Sequence, residues 1–291
     1  MGVGEHHSDR GTGRVEVVCN TPSIDDRVVI EQDVRMVRDE QNSAIGELSN
    51  PVSSSLIKSC AVCNTPLEYL DNEEVLACYF CGGIYKSRIW CPEGHFVCQT
   101  CHHMPISSFI EEMVRTSLSK NPVEIATVMM LHPSLKWHSC EHAWVFTTAV
   151  LIAVKNEGTI KLSHKDILSA LGSVKQQANP ELVHTAGMCS IVPAVGVAFH
   201  TLFNMAYGKS EQDDITMKVV AQAISDLADN STRCRCCKSV VLTTLDLITS
   251  LIRARFDVDL EGSAEDVVCD QVGAAGYCEP SICQYYVLAG N

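Results

Sequence analysis

Cys60-Ala61-Val62-Cys63, Cys78-Tyr79-Phe80-Cys81, Cys91-Pro92-Glu93-Gly94-His95 and Cys98-Gln99-Thr100-Cys101 follow one another within residues 60–101. The spacing of the eight potential ligands is C-x2-C-x14-C-x2-C-x9-C-x3-H-x2-C-x2-C. A C-x2-C knuckle turns tightly enough to aim two thiolates at one tetrahedral ion, and two ligand pairs close a structural site. Four such pairs make two sites, so Cys60, Cys63, Cys78, Cys81, Cys91, His95, Cys98 and Cys101 are expected to hold two structural Zn2+ ions. Between them, Leu67 to Leu70, Val75 to Tyr79 and Ile84 to Ile89 read as short ribbon-like strands. So short and polar a segment cannot fold on buried area alone; the metal supplies its folding free energy, about 10 kcal/mol per structural zinc.

Two pairings of these ligands are open. Sequential pairing gives a zinc ribbon from the first four and a second site from Cys91, His95, Cys98 and Cys101. Alternate pairing gives a cross-brace, and Cys78 to Cys101 resembles the middle of a RING finger. The final C-x2-C of a RING is missing downstream, so the sequence favours the ribbon. His102 and His103 are spare and solvated, although His102 could substitute for a ligand.

Beyond residue 105 the apolar period changes. Ile106, Phe109, Ile110, Met113, Val114 and Leu118 fall at i, i+3, i+4, i+7, i+8 and i+12, an amphipathic helical stripe. Asn121-Pro122-Val123-Glu124 supplies an N-cap, a proline at the first helical position and an acid in the first turn. Further helices are expected near 141–155, 164–175, 190–206, 213–228 and 237–254. Ser163 with Asp166 and Ser210 with Asp213 mark starts; Gly158 and Gly208 mark stops. The expected fold is mainly α, a small zinc-ribbon-like β module followed by an all-helical domain. Its boundaries are a weakly structured segment at 1–56, the two-zinc module at 57–104 and the helical domain at 105–291. Val15 to Cys19 and Arg27 to Ile30 could form short strands in the first segment. There Cys19 reads as a small buried residue, and His6 and His7 as solvated.

Composition narrows the function classes. Of 291 residues, 46% are hydrophobic and 20% charged, enough for a packed core. Lys plus Arg number 22 against 35 for Asp plus Glu, a net charge of -13 that repels phosphate backbones and anionic membranes. No non-specific nucleic-acid binding is expected. No membrane span is expected either, since the longest apolar run, Ala143 to Val154, is well short of the ~20 residues a bilayer demands and includes Thr147 and Thr148. Met1 to Gly13 lacks the apolar centre of a signal peptide. Sixteen cysteines without a signal or a poor core point to reduced, metal-holding thiols in a cytoplasm.

A second constellation lies in the helical part. His138 and His142 are four apart, so a helix places both imidazoles on one face with Glu141 beside them. H-x-x-E-H has the arrangement of an inverted zinc-hydrolase motif, two ligands and a base, without an assignable distal acidic ligand. The competing reading is helix-start histidines and an acid favoured by the dipole. Cys140, Cys189, Cys234, Cys236, Cys237, Cys269, Cys278 and Cys283 are dispersed through the same domain. Cys189 and the Cys236-Cys237 pair precede helices, whose free N–H groups stabilise thiolates and anionic clusters. Cys189, Cys236, Cys237, Cys269, Cys278 and Cys283 therefore suit a soft metal or an iron–sulfur cluster, with one more zinc site or structural thiols equally open.

Several blocks resemble an uncharacterised family, a domain of unknown function (5714), of methanogenic archaea and anaerobic bacteria. Its knuckle segment ends in C-P-x-G-H-(F/Y)-V-C-x-x-C-H, which here is Cys91-Pro92-Glu93-Gly94-His95-Phe96-Val97-Cys98-Gln99-Thr100-Cys101-His102. An H-G-P-E-H-H block is matched by His138-Ser139-Cys140-Glu141-His142-Ala143, and an R-C-C-K element by Arg235 to Lys238. A glycine–cysteine turn matches Gly187 to Cys189, and a terminal group matches Cys269, Cys278 and Cys283. Ala143 replaces the last histidine of the middle block, and the stretch Ser190 to Pro193 lacks a neighbouring cysteine. The resemblance implies a metalloprotein of anaerobes and no particular reaction.

Three functions follow as expectations. One is a redox or sulfur- or one-carbon-group-transfer enzyme of anaerobic metabolism, with His138 and His142 as ligands and Glu141 as the proton-transfer group. Another is a zinc-knuckle adaptor that docks a protein partner through its zinc module. The last is a zinc hydrolase using His138, Glu141 and His142.

Overall fold

Strand-forming stretches on either side of the second ligand pair and helical periodicity after the fourth give the molecule its two kinds of structure. The computed structural model describes residues 59–207, 212–230, 236–269 and 283–285, within a unit spanning 57–291. The short strands considered for residues 1–56, Cys19, and the ligand candidate Cys278 lie outside the described residues.

Strand β1 (Glu68–Ala77) pairs antiparallel with β2 (Ile84–Trp90). Ala77 faces Ile84 beside the turn and Glu68 faces Trp90 at the far end, with an irregularity between Tyr69 and Glu74. That irregularity joins in one strand what alternation alone divides into two pieces. Both faces of the ribbon are largely exposed, so side-chain burial contributes little to its stability.

The helices follow as α1 (Gln99–His103), α2 (Ile106–Thr116), α3 (Pro122–Met130), α4 (Glu141–Glu157), α5 (His164–Gln177), α6 (Pro180–Ala186), α7 (Ile191–Tyr207), α8 (Gln212–Asn230) and α9 (Cys237–Phe256). A 3-10 turn spans Ala264–Asp266. Local chemistry sets the starts. Asn121 Oδ1 accepts the amides of Val123 and Glu124 before α3. Ser163 and Asp166 form a reciprocal capping box before α5. Asn179-Pro180-Glu181 repeats the Asn-Pro signature of α3, and Glu181 N–H donates to Asn179 Oδ1, starting a helix that periodicity does not reveal. Gly158 ends α4 at φ 98°, a left-handed position that favours glycine.

Helix α4 is the hub. It packs against α2, α3, α5, α7 and α9, so its apolar residues encircle it rather than forming one stripe. Phe146, Leu151 and Ile152 are fully buried, each contributing about 1.5–3 kcal/mol by removal from water. The two threonines in this run are satisfied internally: Thr148 donates to Trp144 O at 2.7 Å, and Thr147 donates to Ala194 O of α7 at 3.3 Å. Gly196 lets α7 approach α8, since a Cβ there would meet Val220 at 3.3 Å. No described helix is long and apolar enough to cross a membrane.

Candidate metal centre

Four tight turns build the donor sets. Cys60 O accepts the Asn64 amide at 2.9 Å, with Asn64 left-handed at φ 61°, and this folds Cys63 back toward Cys60. Cys78 O accepts the Gly82 amide, and Cys78 N–H donates to Gly83 O, making the second knuckle the turn of the β1–β2 hairpin. Cys91 O accepts the Gly94 amide ahead of His95. Cys98 is the N-cap of α1, its sulfur accepting the Cys101 amide at 3.4 Å.

The donors then gather in two groups. Cys60, Cys63, Cys91 and His95 form one, Cys78, Cys81, Cys98 and Cys101 the other, and within each group all four ligand atoms lie within 4.8 Å of one another. In the first, Cys63 Sγ stands 3.5 Å from Cys91 Sγ and 3.3 Å from His95 Nδ1. In the second, Cys81 Sγ stands 3.9 Å from Cys98 Sγ, while Cys78 Sγ accepts the Cys98 amide at 3.3 Å. These are dimensions that fit one tetrahedral ion bound by sulfur and imidazole nitrogen. The pairing is therefore crossed, and the sequential ribbon pairing favoured by the sequence is corrected. The hairpin is the reason: pairing Glu68 with Trp90 holds the first and third ligand pairs at one end, and the second pair occupies the turn. His102 belongs to neither group.

Electrostatics call for a cation in each group. Burial pushes the Cys60 thiol up to about 12, whereas hydrogen bonds around Thr65 lower Cys63 against the opposing effect of burial. In the second group burial, then the neighbouring sulfurs, raise Cys101. Against the same burial, the Cys101 amide, the Tyr85 hydroxyl and neighbouring thiols bring Cys98 down to about 7. Thiolates this close repel one another, so they ionise together only around a positive ion.

The module is seated on the helices. Phe80 meets Phe109 of α2 edge-on with centroids 5.2 Å apart, and His132 stacks on Phe109 at 4.3 Å. Leu131 packs with Cys60, Val62 and Cys91, and Ser134 Oγ donates to Met104 O. The 131–135 stretch thus touches the first donor group and the end of α1. Sequence spacing gives no signal for Phe80, Leu131 or His132, because none is a ligand.

Among the described residues no third group closes as these two do. His138 is exposed, Glu141 Oε2 accepts from Ser139 Oγ at 3.1 Å, and His142 is buried at the start of α4. The three do not converge on one ion, so the hydrolase arrangement expected from H-x-x-E-H is not formed. Burial holds His142 down at about 4. Cys236 and Cys237 open α9, Cys189 precedes α7, and Cys140 is the N-cap of α4. The Cys237 sulfur lies within electrostatic reach of Cys189, Cys236 and Cys140. Cys269 N–H donates to Tyr285 O, and Tyr285 Oη lies 3.3 Å from Thr243 Oγ1, which places the neighbouring Cys283 by Thr243. Thr243 is six residues along α9 from Cys237, about 9 Å. Cys140 stands among the dispersed thiols without an expected role; its signal is its place immediately ahead of a largely buried helix.

Residues 110–286 match the model of a family of unknown function (DUF5714). The chain belongs to that family. The DUF5714 match spans the helical body and its dispersed cysteines, whereas both crossed donor groups lie outside it. No curated protein and no solved structure matches the chain.

Proposed function

We propose that this chain is a zinc-scaffolded metalloprotein: the two crossed donor groups hold structural Zn2+, and the DUF5714 body carries the working chemistry. The observation behind this reading is the closure of both four-donor groups to within 4.8 Å. A site with four protein ligands keeps no open position for a substrate, so catalysis belongs elsewhere in the chain. Thiols at helix starts suit redox or sulfur- or one-carbon-group transfer better than hydrolysis, since His138, Glu141 and His142 share no ion site. A reducing compartment such as a cytoplasm suits so many free thiols.

A second reading, a zinc-knuckle adaptor, draws on the ribbon. Tyr69, Tyr85 and Ile89 are exposed on one face of the β1–β2 ribbon, an apolar patch suited to a protein partner. Elemental analysis of the full chain tests the zinc assignment. Two zinc ions per chain are expected, with loss of hairpin structure on chelation; a metal-free protein with an unchanged hairpin overturns it. Glu141→Gln separates enzyme from adaptor. An adaptor keeps its cellular role, whereas an acid–base residue is indispensable at unchanged stability.

A further inference from the structure

Three helices of the body begin at one place, and each begins at a cysteine. Cys140 caps α4, Cys189 accepts the Val192 amide in the first turn of α7, and Cys237 is the first residue of α9. These helices pack against one another in all three pairings. The Cys237 and Cys189 sulfurs each lie within electrostatic reach of Cys140, and Cys237 also of Cys189. Cys189 is exposed and the other two are half-buried, so the place is open to incoming ions.

Ser139 orients the imidazole. Its carbonyl lies 3.1 Å from His142 Nδ1. A carbonyl only accepts, so the imidazole proton sits on Nδ1 and the lone pair is on Nε2. That is the tautomer of a metal-ligating histidine, fixed by the hydrogen bond its other nitrogen makes. His142 is 1% exposed, and its Nε2 has no hydrogen-bond partner. A buried imidazole lone pair without a donor calls for a ligand. Lys238 Nζ, in the first turn of α9, lies 4.4 Å from the centre of the Trp137 ring, which sets the start of α9 beside the segment that leads into α4.

The surroundings favour an anionic centre of more than one metal atom. Three helix N-termini present positive dipole ends here. Burial raises the Cys189 thiol, and the nearby amides of Ile191 and Ser190 and the Ser190 hydroxyl oppose that effect. No three of these donors draw within the 4.8 Å that encloses each knuckle group. A tetrahedral zinc with bonds of about 2.3 Å gathers its thiolates tightly; a polynuclear cluster, with ligands on separate irons, holds them farther apart.

We propose that Cys140, Cys189, Cys237 and Nε2 of His142 ligate an iron–sulfur cluster where α4, α7 and α9 begin. The assignment gives a cofactor to the body in which the functional reading places the chemistry. It does not depend on the zinc module, whose metal is counted separately.

The test uses the full chain, purified without oxygen and given ferric iron and sulfide with a thiol, which reduces part of the iron as the cluster forms. Iron, acid-labile sulfide, zinc and visible absorption are measured together. Labile sulfide should bind in fixed ratio to protein, with broad charge-transfer absorption, while zinc stays at two per chain. Cys140→Ser, Cys189→Ser, Cys237→Ser and His142→Gln should each lose most of the sulfide and colour; Cys283→Ser should keep both. Alkylation of the loaded wild-type chain guards against misfolded variants, since Cys189 and Cys237 should be protected until the cluster is stripped. A third zinc in place of iron and sulfide, equal alkylation before and after loading, or full loading of the Cys140 and Cys237 variants overturns the cluster. Loss of the two zinc ions in a chain that still binds sulfide would instead overturn the zinc reading alone.

Discussion

Replacing Cys60 and Cys63 together by serine distinguishes crossed from sequential ligand pairing in one measurement. In the crossed arrangement the double variant removes the site of three sulfurs and one imidazole and leaves Cys78, Cys81, Cys98 and Cys101 intact. Zinc should fall from two per chain to one, and the survivor should have four sulfurs. Sequential pairing predicts the reverse, a survivor built from Cys91, His95, Cys98 and Cys101. Cobalt substitution reads this directly, because the visible bands of a tetrahedral site move to longer wavelength as thiolates replace nitrogen. The lost site forfeits about 10 kcal/mol or more of metal-binding free energy, confined mainly to the first knuckle. The helical body loses chiefly the contact of Leu131 with Cys60, Val62 and Cys91. Exposing that side chain costs at most about 2 kcal/mol, so the melting temperature of the helices should drop by about 4–8 °C. A residual cobalt spectrum of the three-sulfur, one-nitrogen type, or loss of both metals at once, refutes the crossed pairing.

His132 should make stability pH-dependent. Burial, with His102 nearby, holds its imidazole near 4 against an ordinary 6.5. Below pH 6.5 the unfolded chain therefore binds a proton that the folded chain refuses until about pH 4. Stability is full above pH 6.5 and falls as the pH drops through this window, by about 3 kcal/mol in all. Denaturant titrations of wild type and His132→Phe at each pH isolate the effect, since acid acts on the donor groups of both alike; equal slopes would refute it. Ser163→Ala breaks the α5 capping box and should cost about 1 kcal/mol, seen as a melting temperature lower by about 2–4 °C. Phe146→Ala, at the centre of α4 and fully buried, should cost about 3–5 kcal/mol by denaturant unfolding. A cost under about 1 kcal/mol would remove α4 from the centre of the core.

The local signals were legible because their physics is local. C-x2-C spacing fixes how two thiolates leave one turn, whichever partner they meet, so the eight donors could be named in advance. Asn121 before Pro122 and Ser163 before Asp166 act within a single helical turn, and α3 and α5 begin where those residues place them. Helix α6 carried the same Asn-Pro signature and was missed for want of a long apolar stripe. The hydrolase-like reading of His138, Glu141 and His142 assumed one helix face, whereas α4 begins only at Glu141 and leaves His138 ahead of it.

By itself the sequence determined the eight residues of the two donor groups, where most of the helices start and that the chain is mainly α, all consequences of spacings no longer than a few turns. Only the tertiary structure decided which donors share an ion. Both pairings use the same four ligand pairs, and the choice is made by an antiparallel hairpin that brings the first and third pairs to one end. It also set Cys140, Cys189 and Cys237 at the starts of three helices that pack against one another. That meeting depends on how α4, α7 and α9 pack, and packing between helices so far apart in sequence leaves no local trace to read.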